Sequence, residues 1–128
     1  MADARAVAIK IFTIPAPVGR GHEFEGLTWP HLADQLQVLK LAAQIGLPVV
    51  AHAEHPDVLA RSADRASRLD PARATTHEVA RPALAESLAV AQLLTLNMEA
   101  GAKLHVAHVT SMATLNVLRR FSGSSDFT

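Results

Sequence analysis

The stretch 47–55, with the sequence LPVVAHAEH, constrains the fold more than any other part of the chain. Its apolar run is short and contains two adjacent valines, which is typical of a buried strand. The run ends in His52 and Glu54, two polar residues that a buried strand does not need for packing. In parallel α/β folds, functional side chains gather at the carboxyl ends of strands. This stretch therefore predicts a core strand that carries a functional site at its end.

Two further stretches have the same buried-strand pattern. Residues 6–12 (AVAIKIF) and 103–109 (KLHVAHV) are apolar on both faces, as in parallel sheets that are covered by helices. In the first stretch, Lys10 shares a face with small residues and Phe12. The large aliphatic side chains of the opposite face are expected to pack against helices. That face holds Val7, Ile9 and Ile11.

Helical patterns separate the strands. The first helix is predicted over 29–45, with Thr28 as its N-cap and Gly46 as its stop. A long helix is predicted from Arg81-Pro82 to Gly101, and a last one from Thr110 or Ser111 to about residue 121. A short helix is predicted over 56–68 and a loop over 70–80. The expected core stripes are Leu32, Leu36, Leu39 and Ala43 in the first helix, and Leu84, Leu88, Ala91, Leu94 and Met98 in the long one.

The element order is therefore β-α-β-(α)-α-β-α, which predicts right-handed crossovers and a parallel sheet. The 128 residues suit one ordinary domain, and they are 49% hydrophobic but only 4% aromatic. The formal net charge is zero with no basic patch, so nucleic acid is not an expected partner. The chain has no cysteine, no apparent signal peptide and no apolar run of membrane-spanning length. We expect a soluble, cytoplasmic protein.

Each predicted strand carries one residue suited to metal chemistry, namely Lys10, His52 and His108. Three parallel strands would bring these side chains to a common edge, where imidazole is a good ligand for zinc and similar cations. A lysine ammonium has no lone pair. A neutral lysine, which burial favours, can react with carbon dioxide to form a carbamate that bridges two cations.

Three sequence segments in order make the chain resemble the cyclic amidohydrolases, the group of dihydroorotases, allantoinases and hydantoinases. They are AVAIKIF around Lys10, GLPVVAHAE around His52, and LHVAHVTS around His108. Arg81-Pro82 with Glu86 also resembles the pattern that opens a long helix in this family. The resemblance extends from about residue 6 to residue 120.

The resemblance implies a partial (β/α)8 TIM barrel of the metal-dependent hydrolase type, with three parallel strands and their helices. These would be the fourth to sixth strands of the barrel. It further implies metal ligation by Lys10 (carboxylated, bridging), His52 and His108, with zinc as the first choice and two ions per complete site. The implied reaction is hydrolysis of the amide C–N bond of a small cyclic ureide or imide. Dihydroorotate is the first choice of substrate, and the alternatives are allantoin, hydantoin or a dihydropyrimidine. The full-length protein is expected to be a homo-oligomer.

The family pattern also includes a His-x-His pair on the first strand and an aspartate base on the eighth, and neither has a place here. We therefore expect residues 1–128 to form one partial barrel segment of an incomplete catalytic domain, inactive alone and with no catalytic base of its own. A barrel of this type needs about 250 residues. The alternative hypothesis is a catalytically inactive, dihydroorotase-like protein with a structural or interaction role.

Other polar residues receive more ordinary interpretations. Glu54 is expected to support a ligand or anchor a loop. Arg81 is expected to anchor the start of the long helix, with a substrate contact as the alternative. Strand alternation places His105 and His108 on opposite faces, so His105 is expected to face the helices or solvent. The remaining histidines are expected to be solvated surface residues in loops or at helix starts, with a weak alternative of substrate contact for His55. They are His22, His31, His55 and His77.

Overall fold

A three-stranded parallel sheet forms the centre of the molecule, in the order β1-β2-β3. This computed structural model describes residues 6–128. The first strand begins later than predicted, and the other two are shorter than predicted at both ends. The elements are β1 Ile9–Phe12, α1 Leu32–Ile45, β2 Val49–His52, α2 Pro56–Ala66, α3 Ala74–Ala80, α4 Ala83–Ala100, β3 Leu104–Val106 and α5 Met112–Phe121, with a 3-10 turn at Gly21–Phe24.

The two faces of the sheet differ sharply in burial. Ile9 and Ile11 of β1 are buried, as predicted, and the next strand pairs with them in parallel register. Val7 lies before β1 and is 85% exposed, so its assignment to the strand was wrong. The opposite face is only partly buried and holds the predicted ligand Lys10. It continues across the sheet through Phe12, Val50, His52 and His105.

The buried face packs against α1 and α4 in one hydrophobic core. In α4 the core side is built from small and medium residues, among them Ala85, Ala89 and Leu93, whereas Leu84 and Met98 of the predicted stripe are exposed. The helix is apolar on nearly all sides, so periodicity alone could not identify its buried face. Of the predicted stripe, Leu94 is fully buried.

In α1 the buried face is likewise rotated from the predicted one. Gln35 and Val38 are buried beside Leu39, whereas Leu32 is 47% exposed. Gln35 is accommodated because its side-chain amide donates to the carbonyl oxygen of Trp29 at 2.8 Å. The helix ends as predicted at Gly46, which adopts a left-handed conformation with φ 71°.

The segment predicted as a loop over 70–80 contains a helix, α3, over Ala74–Ala80. The helix is short and contains two adjacent threonines, which are poor helix formers, so sequence patterns do not indicate it. Helices of this length depend on tertiary packing. Here α3 packs against α2. The segment between β2 and α4 thus places α3 beside the carboxyl end of β2.

One helical stretch, Ala74–Ala100, has the length and apolar composition of a membrane span. It consists of two helices that are separated at Arg81 and Pro82, and α4 contributes its buried residues to the core. An apolar stretch of this length was not expected from the sequence. Because α4 packs in the hydrophobic core, we interpret it as a core helix of the α/β fold. Beside β3, Phe127 forms an isolated parallel bridge with Leu104.

Candidate functional site

His52 and His108 meet at the carboxyl edge of the sheet. His52 is the last residue of β2, and His108 lies two residues beyond the end of β3. The Nδ1 atom of His52 lies 3.1 Å from the Nε2 atom of His108. The backbone of His108 has φ 43°, a conformation that residues other than glycine rarely adopt. This turn, rather than strand alternation, brings the His108 ring to His52.

The separation of these two nitrogens fits a shared cation. Two imidazoles on one tetrahedral zinc, with bonds of 2.0–2.1 Å, have their nitrogens about 3.3 Å apart. The observed 3.1 Å is close to that value. No group of three or more His, Asp or Glu side chains with cation-binding geometry occurs within residues 6–128. The third predicted ligand, Lys10, belongs to none of these residue types.

Lys10 lies on the same sheet face as His52, but further from the edge. It is in register with Val50, two residues before His52, which corresponds to about 7 Å along the strand. Its Nζ atom lies 4.9 Å from the centroid of the Phe12 ring. Burial lowers the pKa of Lys10 from its ordinary value, which favours the neutral amine that carbamate formation needs.

Glu54 connects His52 to the α3–α4 junction. Its side chain is only 11% exposed, and its Oε2 atom lies 2.6 Å from Nε2 of His52. The same oxygen accepts a hydrogen bond from the guanidinium of Arg81. Burial opposes ionisation of Glu54, but the hydrogen bonds from His52 and Arg81 outweigh it and hold its pKa below the ordinary value. The expected supporting position of Glu54 beside a predicted ligand is thus confirmed.

Thr13 fixes the backbone of Glu54. Its hydroxyl donates to the carbonyl oxygen of Glu54 at 2.7 Å and accepts from the Glu54 amide at 2.8 Å. Thr13 is 1% exposed and directly follows β1. Sequence analysis missed this residue, although its place at the end of a predicted strand was a usable signal.

Glu86 holds the loop between β3 and α5. Its carboxylate accepts from the backbone amides of Thr110 and Ser111, from both of their hydroxyls, and from the hydroxyl of Thr114. Burial opposes ionisation of Glu86, but these hydrogen bonds hold its pKa below the ordinary value. The negative charge also lies at the N-terminus of α5, where a helix dipole favours it.

His52, His108, Glu54 and Glu86 line one cleft of about 810 Å³, whereas the predicted ligand Lys10 is not among its lining residues. One wall is formed by the ends of β2 and β3 with His52 and His108, and another by α3 with His77 and Glu78. His77 was predicted to be a solvated loop residue. It is exposed as expected, but it lies in a helix and faces this cleft. Its role was concealed because α3 itself was not predicted.

The other histidines lie outside this cleft. His22 is in the 3-10 turn and His31 precedes α1, both exposed as expected. His55 precedes α2 and is partly buried, and its Nδ1 atom has no hydrogen-bond partner within the described residues. His105 is exposed, but it lies on the sheet face of His52 and not on the helix face. The predicted alternation failed because β3 ends at Val106, before His108.

Comparison with known sequences finds no matching protein-family model. Two curated relatives are similar over part of the chain. An allantoinase of Solibacter usitatus is 37% identical over 73 residues, which is 57% of this chain and 16% of the relative. An allantoinase of Rubrobacter xylanophilus is 41% identical over 73 residues, which is 55% of this chain and 15% of the relative. The chain therefore spans about one sixth of the length of these relatives.

Solved structures show the same fold over almost the whole chain. The L-hydantoinase (dihydropyrimidinase) of Arthrobacter aurescens superposes with a TM-score of 0.82 at 23% identity, over 99% of this chain and 27% of that protein. A D-hydantoinase superposes with a TM-score of 0.77, also at 23% identity, over 98% of this chain and 26% of that protein. These matches confirm the predicted α/β architecture as part of a TIM-barrel fold.

Proposed function

We propose, because this chain is related to the cyclic amidohydrolases, that the full-length protein hydrolyses the amide C–N bond of a small cyclic amide. The observation that carries the proposal is the 3.1 Å approach of His52 Nδ1 and His108 Nε2 at the carboxyl edge of the sheet. Two imidazole nitrogens at this spacing, in a cleft open to solutes, suit the binding of one divalent cation.

The proposed ligands are Lys10, His52 and His108, with zinc as the first choice of metal and two ions per complete site. Bound cations would lower the pKa of a water molecule and polarise the substrate carbonyl. Carbon dioxide would add to the neutral Nζ of Lys10, forming an N–C bond and releasing one proton. The resulting carbamate would offer two oxygens as cation ligands.

The chain's own residues would orient these ligands. Glu54 accepts from Nε2 of His52, which leaves Nδ1 directed at His108. Glu86 fixes the loop that follows His108 by binding Thr110 and Ser111. Both carboxylates are occupied by these contacts, so we propose neither as the base.

Allantoin, a cyclic ureide, is the substrate that we now place first. Two allantoinases are relatives at 37% and 41% identity, which favours this choice over the dihydroorotate expected from sequence patterns. The full-length protein is proposed to be a cytoplasmic homo-oligomer. Neither nucleic acid nor a membrane is proposed as a partner.

Steady-state hydrolysis of allantoin, hydantoin and dihydroorotate by the zinc-loaded full-length protein tests the proposal. His52→Ala and His108→Ala should each lower kcat/KM by at least about 100-fold, because the loss of even an outer partner of a metal ligand costs 10–100-fold. His105→Ala is the matched control, since His105 lies on the same sheet face and is exposed. Full activity of both ligand variants, or no hydrolysis of any cyclic amide by the wild-type protein, would overturn the proposal.

A further inference from the structure

Arg81 lies outside the predicted ligand set but is connected to it by a single carboxylate. It occupies the junction between the end of α3 and the start of α4. Its guanidinium donates to Oε2 of Glu54, and the same oxygen lies 2.6 Å from Nε2 of His52. An arginine on a helix junction and a histidine on a strand end thus share one acceptor atom.

This arrangement determines which nitrogen of His52 carries the proton. A neutral imidazole has one N–H donor and one lone-pair acceptor, and its hydrogen-bond partners select the tautomer. An ionised carboxylate can only accept, so Glu54 requires the proton on Nε2 of His52. The lone pair is then on Nδ1, the atom that lies 3.1 Å from Nε2 of His108.

The carboxylate itself is held from two sides. Thr13 binds the amide and carbonyl groups of Glu54, which fixes the backbone but not the side chain. Within the described residues, Oε2 of Glu54 has two side-chain partners, His52 and Arg81. Arg81 therefore sets the position of the oxygen that faces the His52 ring.

We propose that Arg81 is a positioning residue which acts through Glu54 to keep the lone pair of His52 Nδ1 directed at the cation site. The inference rests on the proposed function, because the direction of the lone pair matters only if His52 binds a cation. The tautomer of His52 itself can be measured without any cation. A purely structural anchor at the helix junction would change stability and leave the tautomer unaltered.

The test is ¹⁵N NMR of the full-length, metal-free protein with labelled histidine, at about pH 8, where an ordinary histidine is neutral. The His52 signals are assigned with His52→Ala. Wild type should show a protonated Nε2 and an unprotonated Nδ1. Arg81→Ala should give a mixture of tautomers, and Arg81→Lys, which keeps a cationic donor, should restore much of the wild-type pattern. Zinc affinity should fall about 10-fold in Arg81→Ala.

The matched control is Arg68→Ala, because Arg68 forms an exposed ion pair with Asp64 and does not line the cleft that contains His52. It should leave the His52 signals unchanged. A second test repeats Arg81→Ala in a Glu54→Ala background. Because Arg81 is proposed to act through Glu54, its removal should then have no further effect on the tautomer.

An unchanged His52 tautomer in folded Arg81→Ala would overturn the inference, as would an Arg81→Ala effect that persists in the Glu54→Ala background. Absence of cation binding by wild type would count against the proposed function alone. The tautomer measurements decide the role of Arg81 in either case.

Discussion

Glu54 and Glu86 are two carboxylates of the same cleft that are used in different ways. Both are partly withdrawn from solvent, and hydrogen bonds hold the pKa of each below its ordinary value. Glu54 accepts from two side chains, His52 and Arg81. Glu86 accepts from five donors in the segment that begins α5, two of them backbone amides.

The partners of each carboxylate indicate its role. Backbone amides at a helix start need a partner for the fold itself, so Glu86 supports local structure. The side-chain partner of Glu54 is instead the His52 ring, so we expect Glu54 to orient that ring in the proposed site. The two residues should therefore separate stability from cation binding when each is replaced.

The largest effect on stability is expected for Glu86→Ala. Five donors lose a charged acceptor, although solvent can replace part of the bonding, so the free energy of unfolding should fall by about 2–4 kcal/mol. Urea denaturation of the full-length protein measures this loss. Zinc affinity should stay within about twofold of wild type, and a large loss of affinity at unchanged stability would reverse the proposed roles.

Glu54→Ala should have the opposite profile. Zinc affinity should fall by roughly 10–100-fold, which corresponds to about 1.4–2.7 kcal/mol, because His52 loses the partner that sets its tautomer. Isothermal titration calorimetry with zinc provides the measurement. Unaltered affinity in a folded Glu54→Ala protein would contradict the distinction between the two carboxylates.

The acid dependence of stability tests Glu86 by a different route. Its pKa in the folded protein lies below the ordinary value of 4.5, so its stabilising contribution is complete above pH 4.5 and is lost as the pH falls through the folded value. Glu86→Gln should therefore lose less stability than wild type over that acid range. Urea titrations of both proteins at a series of pH values give the slope of the free energy of unfolding against pH for each. Identical slopes would refute the prediction.

An exposed carboxylate should matter least. Glu99 pairs with Lys40 at 3.0 Å, and their side chains are 69% and 45% exposed. Lys40→Ala should change the free energy of unfolding by less than about 0.5 kcal/mol, because solvent and salt screen such pairs. A loss comparable to that of Glu86→Ala would show that the number of hydrogen bonds to a carboxylate does not predict its contribution to the free energy of unfolding.

The sequence predicted the order of elements well, because strands and helices alternate and glycines mark two helix ends. Gly46 and Gly101 both adopt left-handed conformations at the predicted stops. The buried faces of α1 and α4 were not predicted correctly, since alanines and a hydrogen-bonded glutamine pack where leucines were expected. Such choices depend on the fit between helix and sheet, which periodicity does not contain.

For the site, the sequence predicted that His52 and His108 share one sheet edge but not how their rings meet. The approach of His108 to His52 depends on a positive φ angle beyond β3, which no pattern indicated. The contact from Arg81 to Glu54 joins residues 27 positions apart, across two helices, so only the tertiary fold shows it. The histidine pair was found because strand ends share an edge, and its supporting contacts were missed.

We propose that His52 and His108 hold a shared cation. The decisive measurement is the metal content of the full-length protein, obtained by plasma mass spectrometry after saturation with zinc and dialysis. We predict two zinc ions per wild-type chain, loss of at least one in His52→Ala and in His108→Ala, and full occupancy in His105→Ala. Two ions per chain in both His52→Ala and His108→Ala would contradict the claim.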